Sequence, residues 1–392
     1  MKKKPPLIKK DITSSAYSKR FAVGVFFFIS GFNFAAWAAR IPSMQKQLHL
    51  NDAELGNVLT ALPTGLMFTM PFAGILLNKL RGRNVMLISA ITYTFLLCFL
   101  SIASNTWEAM SILFLFGASR NLFNISINTQ AISIQALFSK SIITTFHGVW
   151  SLAALAGAAL SFLLISFSIS MLHHFLIVAL ISVILISIVF KHSFDHDDKQ
   201  QYDSKSLVFA WPDKFLIKLG MIGFASMVCE GTMSDWSGIY FSKIMMVSDK
   251  LITIGYVAYL AAMVSGRFLG DWLINRMGVK KLLQLSSRSI VIGFLIAILL
   301  PYLPTAILGF MMIGFGVSCI MPLVFVITPK VSIKPTGHAV AAVSTVSYLG
   351  FLSGPPIVGY IAHATNLKWS FLLAMVIAAS MSFIISKIRP VN

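Results

Sequence analysis

The sequence predicts an all-α membrane protein of twelve transmembrane helices in two pseudo-symmetric six-helix bundles. Three observations carry this. Of the 392 residues, 57% are hydrophobic and 11% charged, with a mean hydropathy of +0.83, whereas a soluble domain carries about 25% charged residues. Twelve apolar runs approach the ~20 residues that a helix needs to cross hydrocarbon. The runs form two sets of six, separated by the longest polar stretch and related by an internal repeat.

The first set begins near Phe21, Glu54, Asn84, Glu108, Ile142 and Met171. The second begins near Phe215, Leu251, Val279, Thr305, Thr336 and Asn366. The chain therefore divides into a basic N-terminus (1–20), a first bundle (21–190), a linker (191–213) and a second bundle (214–392). The run from Phe21 reaches Ile41 and contains Asn33, Trp37 and Arg40. It reads as a retained span rather than a signal peptide, whose apolar region is about 7–15 residues. In the linker, His192, Asp195, His196, Asp197 and Asp198 read as a solvated charged segment, since metal ligands need a fixed geometry. Cys98, Cys229 and Cys319 each lie inside an apolar run, without disulfide or metal-ligand spacing. No metal or cofactor is expected.

The net charge of +18 is dispersed in short segments between apolar runs, which excludes the continuous basic face that nucleic-acid binding needs. Its placement sets an orientation. Of 31 Lys and Arg residues, 23 fall on the side that holds both termini and the linker. Arg40, Lys46, Lys243, Lys250 and Lys368 fall on the other side, and Arg120, Arg267 and Arg288 within spans. By the positive-inside rule both termini are cytoplasmic, in a multi-pass protein of the cytoplasmic (inner) membrane.

A shift of 197 residues places Asn78 on Asn275, Gly117 on Gly314, Gly157 on Gly354 and Asn33 on Glu230. Parallel repeats of this kind are related by an axis along the membrane normal.

GILLNKLRGR (Gly74–Arg83) and GRFLGDWLINRMG (Gly266–Gly278) occupy matching places after the second and eighth spans. With them, the chain resembles the major facilitator superfamily, although Asn78 and Asn275 stand where Asp is usual. FNFAAWAARIP (Phe32–Pro42), FHGVWSLAALAG (Phe146–Gly157), EGTMSDWSGIYF (Glu230–Phe241) and STVSYLGFLSGPPIVGYIA (Ser344–Ala362) are similar to YbjJ-type inner-membrane proteins and, more distantly, to fucose permeases. The resemblance implies solute transport by rocking of two bundles. Fucose-permease-like proteins are expected to carry coupling carboxylates in the first and fourth helices. Here those helices offer amides, so those sites do not transfer.

An ionisable side chain near the bilayer centre costs at least about 2.5 kcal/mol on insertion scales, so it is a functional candidate by default. Glu230 lies mid-way along the seventh span and suits proton uptake and release. Asp235 sits about 140° further round the helix and nearer its outer end. It has either a coupling, substrate or gating role or forms an outer ion pair. Asn121, Asn124, Asn128 and Gln135 share one face of the fourth span, with Arg120 beside them. Amides are costly in lipid, so this face meets protein or a water-filled cavity. Asn33, Trp37 and Arg40 stack on one face of the first span, and read as cavity-lining or as interfacial anchors. His147 is a further cavity candidate. Arg267 and Asp271, four apart, suggest a gating ion pair near Asn275, with Asn78 the counterpart in the first half. Arg288 has no evident partner.

There is no P-loop and no nucleophile motif, so no enzyme is expected. The reading is a monomeric secondary transporter of a small polar solute, driven by protons, with sodium the alternative ion. The fifth span reads LAALAGAALS, without the Gly-Pro of drug exporters. This favours uptake over efflux. A transporter-like sensor is the alternative of a different class.

Overall fold

The computed structural model describes residues 14–138, 142–193, 214–331 and 336–387. They form thirteen α-helices: α1 (Ser14–Ala39), α2 (Ile41–Gln47), α3 (Asp52–Lys79), α4 (Gly82–Ser101), α5 (Thr106–Gln135), α6 (Ile143–Ser166), α7 (Met171–Val189), α8 (Lys214–Lys243), α9 (Ile254–Met277), α10 (Val279–Leu299), α11 (Leu303–Val331), α12 (Thr336–Ala364) and α13 (Leu367–Ser386). All but the short α2 are 19 to 30 residues long. The helix starts match the apolar runs within three residues, except the first. From Ser14, the first described residue, α1 already runs through the polar segment ahead of Phe21. Tyr17 stacks edge-on against Phe138 at 5.6 Å, and Arg20 lies 5.6 Å from the same ring.

Among the described residues, ten of the helices are long and apolar enough to cross a membrane. α3 and α12 lie against each other across the bundle boundary.

The packing repeats. α1 packs on α5, α6 and α7, α3 on α5, and α4 on α5 and α7. In the same pattern, α8 packs on α11, α12 and α13, α9 on α11, and α10 on α11 and α13. The two sets meet along two principal seams, α3 with α12 and α6 with α9. Small residues set the close crossings, as in membrane bundles generally. A side chain on Gly117 would strike the carbonyl of Leu62, and one on Gly314 the carbonyl of Tyr259, so this contact repeats at the 197-residue shift.

Elsewhere the register differs. Gly157 packs on the carbonyl of Phe32 and Gly350 on that of Phe224. Phe32 and Phe224 are 192 apart in sequence, and Gly157 and Gly350 are 193 apart. Gly157 therefore matches Gly350 rather than Gly354, and Asn33 matches Ala225 rather than Glu230. Connections of unequal length between helices defeat a single constant shift.

Four helices that start at the end remote from the chain termini, here the distal end, have side-chain N-caps. Asn51 and Glu54 form a capping box on α3, while Asn105, Ser170 and Asn366 cap α5, α7 and α13. α9 ends on Gly278, whose positive φ of 77° suits glycine. On α10, Arg288 is exposed in line with Leu285, Ile292 and Leu295 on the outward stripe. Most of the linker, including Asp195, His196, Asp197 and Asp198, lies outside the described residues.

Candidate functional site

The candidate site lies where α1, α5 and α6 of the first bundle face α8 and α9 of the second. α1 and α6 cross closely because Gly31 meets the backbone of Trp150 and Ala154, and Gly157 that of Phe32. The close crossing brings the Trp150 indole within reach of α1. Its Nε1–H donates to Ser30 Oγ (3.3 Å), and Ser30 Oγ donates to Asn124 Oδ1 (2.9 Å). Asn128 donates back to the Asn124 carbonyl at 2.7 Å. Three helices are thereby tied into one polar wall.

Two arginines complete it, one from each bundle. The Arg120 guanidinium of α5 sits 3.9 Å above the Phe34 ring. The Phe34 and Trp150 rings are tilted at 31° with centres 6.4 Å apart, and Arg267 of α9 lies over the Trp150 ring at 5.8 Å. Arg267 Nη1 also donates to Ser151 Oγ at 2.5 Å, crossing the α6–α9 seam. Each guanidinium keeps one buried Nε–H with no acceptor. A buried donor left unmet costs about 1–3 kcal/mol, which marks both as groups awaiting a partner.

The acids come from α8. Glu230 lies within electrostatic reach of Arg267 and Arg120, and Asp235 within reach of Arg120. Among the described residues neither forms an ion pair. Tyr256 lies within electrostatic reach of both acids, and Tyr259 and Tyr348 within reach of Glu230; the buried Tyr259 hydroxyl is without a hydrogen-bond partner.

Other expected residues lie elsewhere. The Asn33, Trp37 and Arg40 face packs inside the first bundle. Asn33 donates to Thr94 Oγ1 (2.7 Å) and accepts from Ser182 Oγ (3.0 Å). Trp37 is buried against Phe116. Arg40 donates to His174 Nδ1 (2.9 Å) and to the Ile169 carbonyl (2.6 Å). Because Ser161 gives its own proton to the Gly157 carbonyl, it accepts from His174 Nε2, and the imidazole is neutral. These side chains meet other helices of the first bundle because α1 is surrounded on several faces, and spacing alone does not say which face looks across the boundary.

The α5 amides divide likewise. Asn124 and Asn128 are half-buried at the polar wall. Asn121 is buried and donates to Thr69 on α3 (3.0 Å). Gln135 staples the α5–α6 connection by accepting from the Ile142 amide (2.7 Å). His147 is exposed, edge-on to Phe27 at 5.4 Å and within electrostatic reach of Arg267. Arg267 makes no ion pair with Asp271, which is exposed. Its side chain turns to Trp150 and Ser151 instead, where an aromatic face and a hydroxyl shield the charge. Asn275 is exposed at the end of α9, and the side chain of Asn78 lies outside the described residues. Asp235 is not part of an outer ion pair: it is buried and unpaired.

The distal end carries the polar contacts that bind the two bundles there. Lys243 of α8 pairs with Asp52 of α3 at 2.5 Å, and Lys46 of α2 pairs with Asp249 at 2.6 Å. Asn57 donates to Tyr360 (3.1 Å), and Ser166 to the Lys250 carbonyl (3.1 Å). Counting basic residues by side located Lys46 and Lys243 but passed over the acids facing them. The aromatic members Phe34, Trp150, Tyr256 and Tyr259 gave no sequence signal beyond being apolar.

The family model that matches is the Major Facilitator Superfamily, over residues 22–339. The chain is 30% identical over 381 residues to an uncharacterized MFS-type transporter of Yersinia pestis, covering 95% of this chain and 97% of that one. Its fold is similar to that of the nucleoside transporter NupG, with a TM-score of 0.76 at 16% identity, covering 96% of this chain and 100% of that one. It is also similar to a bacterial homologue of the human lysosomal transporter Spinster in an inward-facing and occupied conformation, with a TM-score of 0.73 at 14% identity, covering 94% and 96%.

Proposed function

The chain belongs to the Major Facilitator Superfamily, and we propose that it takes up a small polar solute together with protons by alternating access. It is a membrane transporter and not an enzyme. The observation that carries the finer reading is the unpaired charge at the bundle boundary. Glu230, Asp235 and Arg267 of the second bundle and Arg120 of the first are held in protein without ion-pair partners, and both arginines keep an unmet Nε–H. Structural charges in a membrane protein are normally neutralised by one another. Groups kept apart at a moving boundary are available to a solute and to a proton.

Each bundle is internally packed and the two meet along two principal seams, which supports rocking of two bodies. The distal contacts support a state closed on that side. The basic excess on the other side supports a cytoplasmic location for both termini in the cytoplasmic membrane. A fifth span without the Gly-Pro of drug exporters supports uptake.

Reporter fusions at residues 200 and 392 are expected to report cytoplasm, and a signal from the opposite side at either would remove the orientation. In proteoliposomes, a solute found by thermal stabilisation is expected to show counterflow: internal unlabelled solute drives transient accumulation of label. A sensor would bind the solute and accumulate nothing. Replacing the proton gradient by a sodium gradient separates the two candidate ions.

A further inference from the structure

The transported solute is named here by the chemistry of the site, and the inference rests on the transport reading above. We infer that the solute is a small organic anion with a ring or other flat body, its negative group held between Arg120 and Arg267.

The argument begins with which charges are permanent. A carboxyl group becomes uncharged by taking up a proton, whereas a guanidinium stays charged in proteins. When Glu230 and Asp235 are protonated, the two arginines remain as unbalanced cations at the boundary. Their unmet Nε–H donors call for an acceptor, and a planar oxyanion accepts two parallel N–H bonds from a guanidinium fork. A cationic solute would face both arginines and could use only whichever acids were ionised. A neutral solute would leave both cations without compensation in a low-dielectric site.

The aromatic groups define the rest of the ligand. Arg120, Phe34, Trp150 and Arg267 form one continuous row of contacts. The π faces hold the guanidiniums in place and offer a flat surface beside them. Asn124 and Asn128 add amide groups able to bond hydroxyls or carbonyls of the solute body.

The placement also links binding to movement. Arg120 belongs to the first bundle and Arg267 to the second. An anion bridging them favours the state in which the bundles approach. Its negative charge opposes that of the α8 carboxylates within reach of the same arginines, and protonation of a carboxylate removes that repulsion. Anion and proton thus bind together, and each promotes the other, as linkage requires.

The test uses the purified full-length protein in detergent and a bacterial small-molecule extract. An ion-exchange separation divides the extract into anionic, neutral and cationic fractions. The anionic fraction is expected to raise the melting temperature by about 5 °C, and the other two to have no effect. Phosphatase treatment of that fraction separates the two oxyanion sources: the shift is lost for a phosphate ester and kept for a carboxylate. Arg120→Gln and Arg267→Gln should each abolish the shift, while Arg120→Lys, which keeps the charge, should retain part of it. Their melting temperatures without ligand show whether they fold. Stabilisation by the neutral or cationic fraction, with counterflow of its active component, would overturn the anion inference and leave the transport reading standing. Stabilisation by no fraction would overturn both. An anionic shift undiminished in Arg120→Gln and Arg267→Gln would show that the anion binds elsewhere and would also overturn the assignment.

Discussion

Glu230→Gln is expected to abolish concentrative uptake while leaving exchange of solute at equal concentrations largely intact. The amide keeps the size and hydrogen bonding of the carboxyl but cannot take up a proton and deliver it. A proton moving down a gradient of one pH unit supplies about 1.4 kcal/mol, which supports about tenfold accumulation of solute. Without the titrating group the carrier still equilibrates its solute, so that tenfold accumulation falls to none. Wild-type uptake should vary with external pH, and uptake by the variant should not. Glu230 is the better test of the two acids because it lies within reach of both arginines, whereas Asp235 lies within reach of Arg120 alone. A folded Glu230→Gln protein that concentrates solute as well as wild type would move the coupling role to Asp235 or to a sodium-driven cycle. Counterflow by the variant guards against mistaking unfolding for uncoupling.

The same region shows how far the sequence could be read. Glu230 was found by its place in the middle of an apolar run, because charge in hydrocarbon is costly wherever the fold puts it. The twelve long helices followed from a similarly local rule. The partners of Glu230 did not follow, because they sit on other helices. The i, i+4 spacing of Arg267 and Asp271 allowed an ion pair, yet Arg267 points across the α6–α9 seam to Ser151 and Trp150. Asn33, Trp37 and Arg40 share a face, as their spacing required, but that face meets α4, α5 and α7 rather than the second bundle. Helical periodicity tells which residues lie side by side. It does not tell which of several neighbouring helices they meet, and that is settled only by close crossings such as Gly31 on Trp150.

The distal seam gives the second large effect. A Cβ on Gly56 of α3 would lie 2.7 Å from the Pro355 carbonyl oxygen and 3.2 Å from the Gly359 Cα, both on α12. These are backbone atoms, so no side-chain rotation makes room, and a larger residue must push the helices apart. Asp52, whose pairing with Lys243 joins the bundles at 2.5 Å, lies one turn away and would lose its partner. Overpacking of this kind costs about 1–3 kcal/mol. Because the cost falls only on the state with the distal end closed, it shifts the balance toward the open state by about 5–150-fold. Gly56→Leu is therefore expected to cut transport at least about fivefold while preserving solute binding, since the open state still presents the site. A cysteine at Thr60, half-buried one turn inside the seam, should react faster with a water-soluble thiol reagent in the Gly56→Leu background. The ligand-induced melting shift checks that the variant folds. Transport at the wild-type rate with unchanged Thr60 reactivity would mean that α3 and α12 close without the contact at Gly56, and the seam would lose its standing as a gate. Loss of transport with faster labelling would identify it as the element that must close in every cycle.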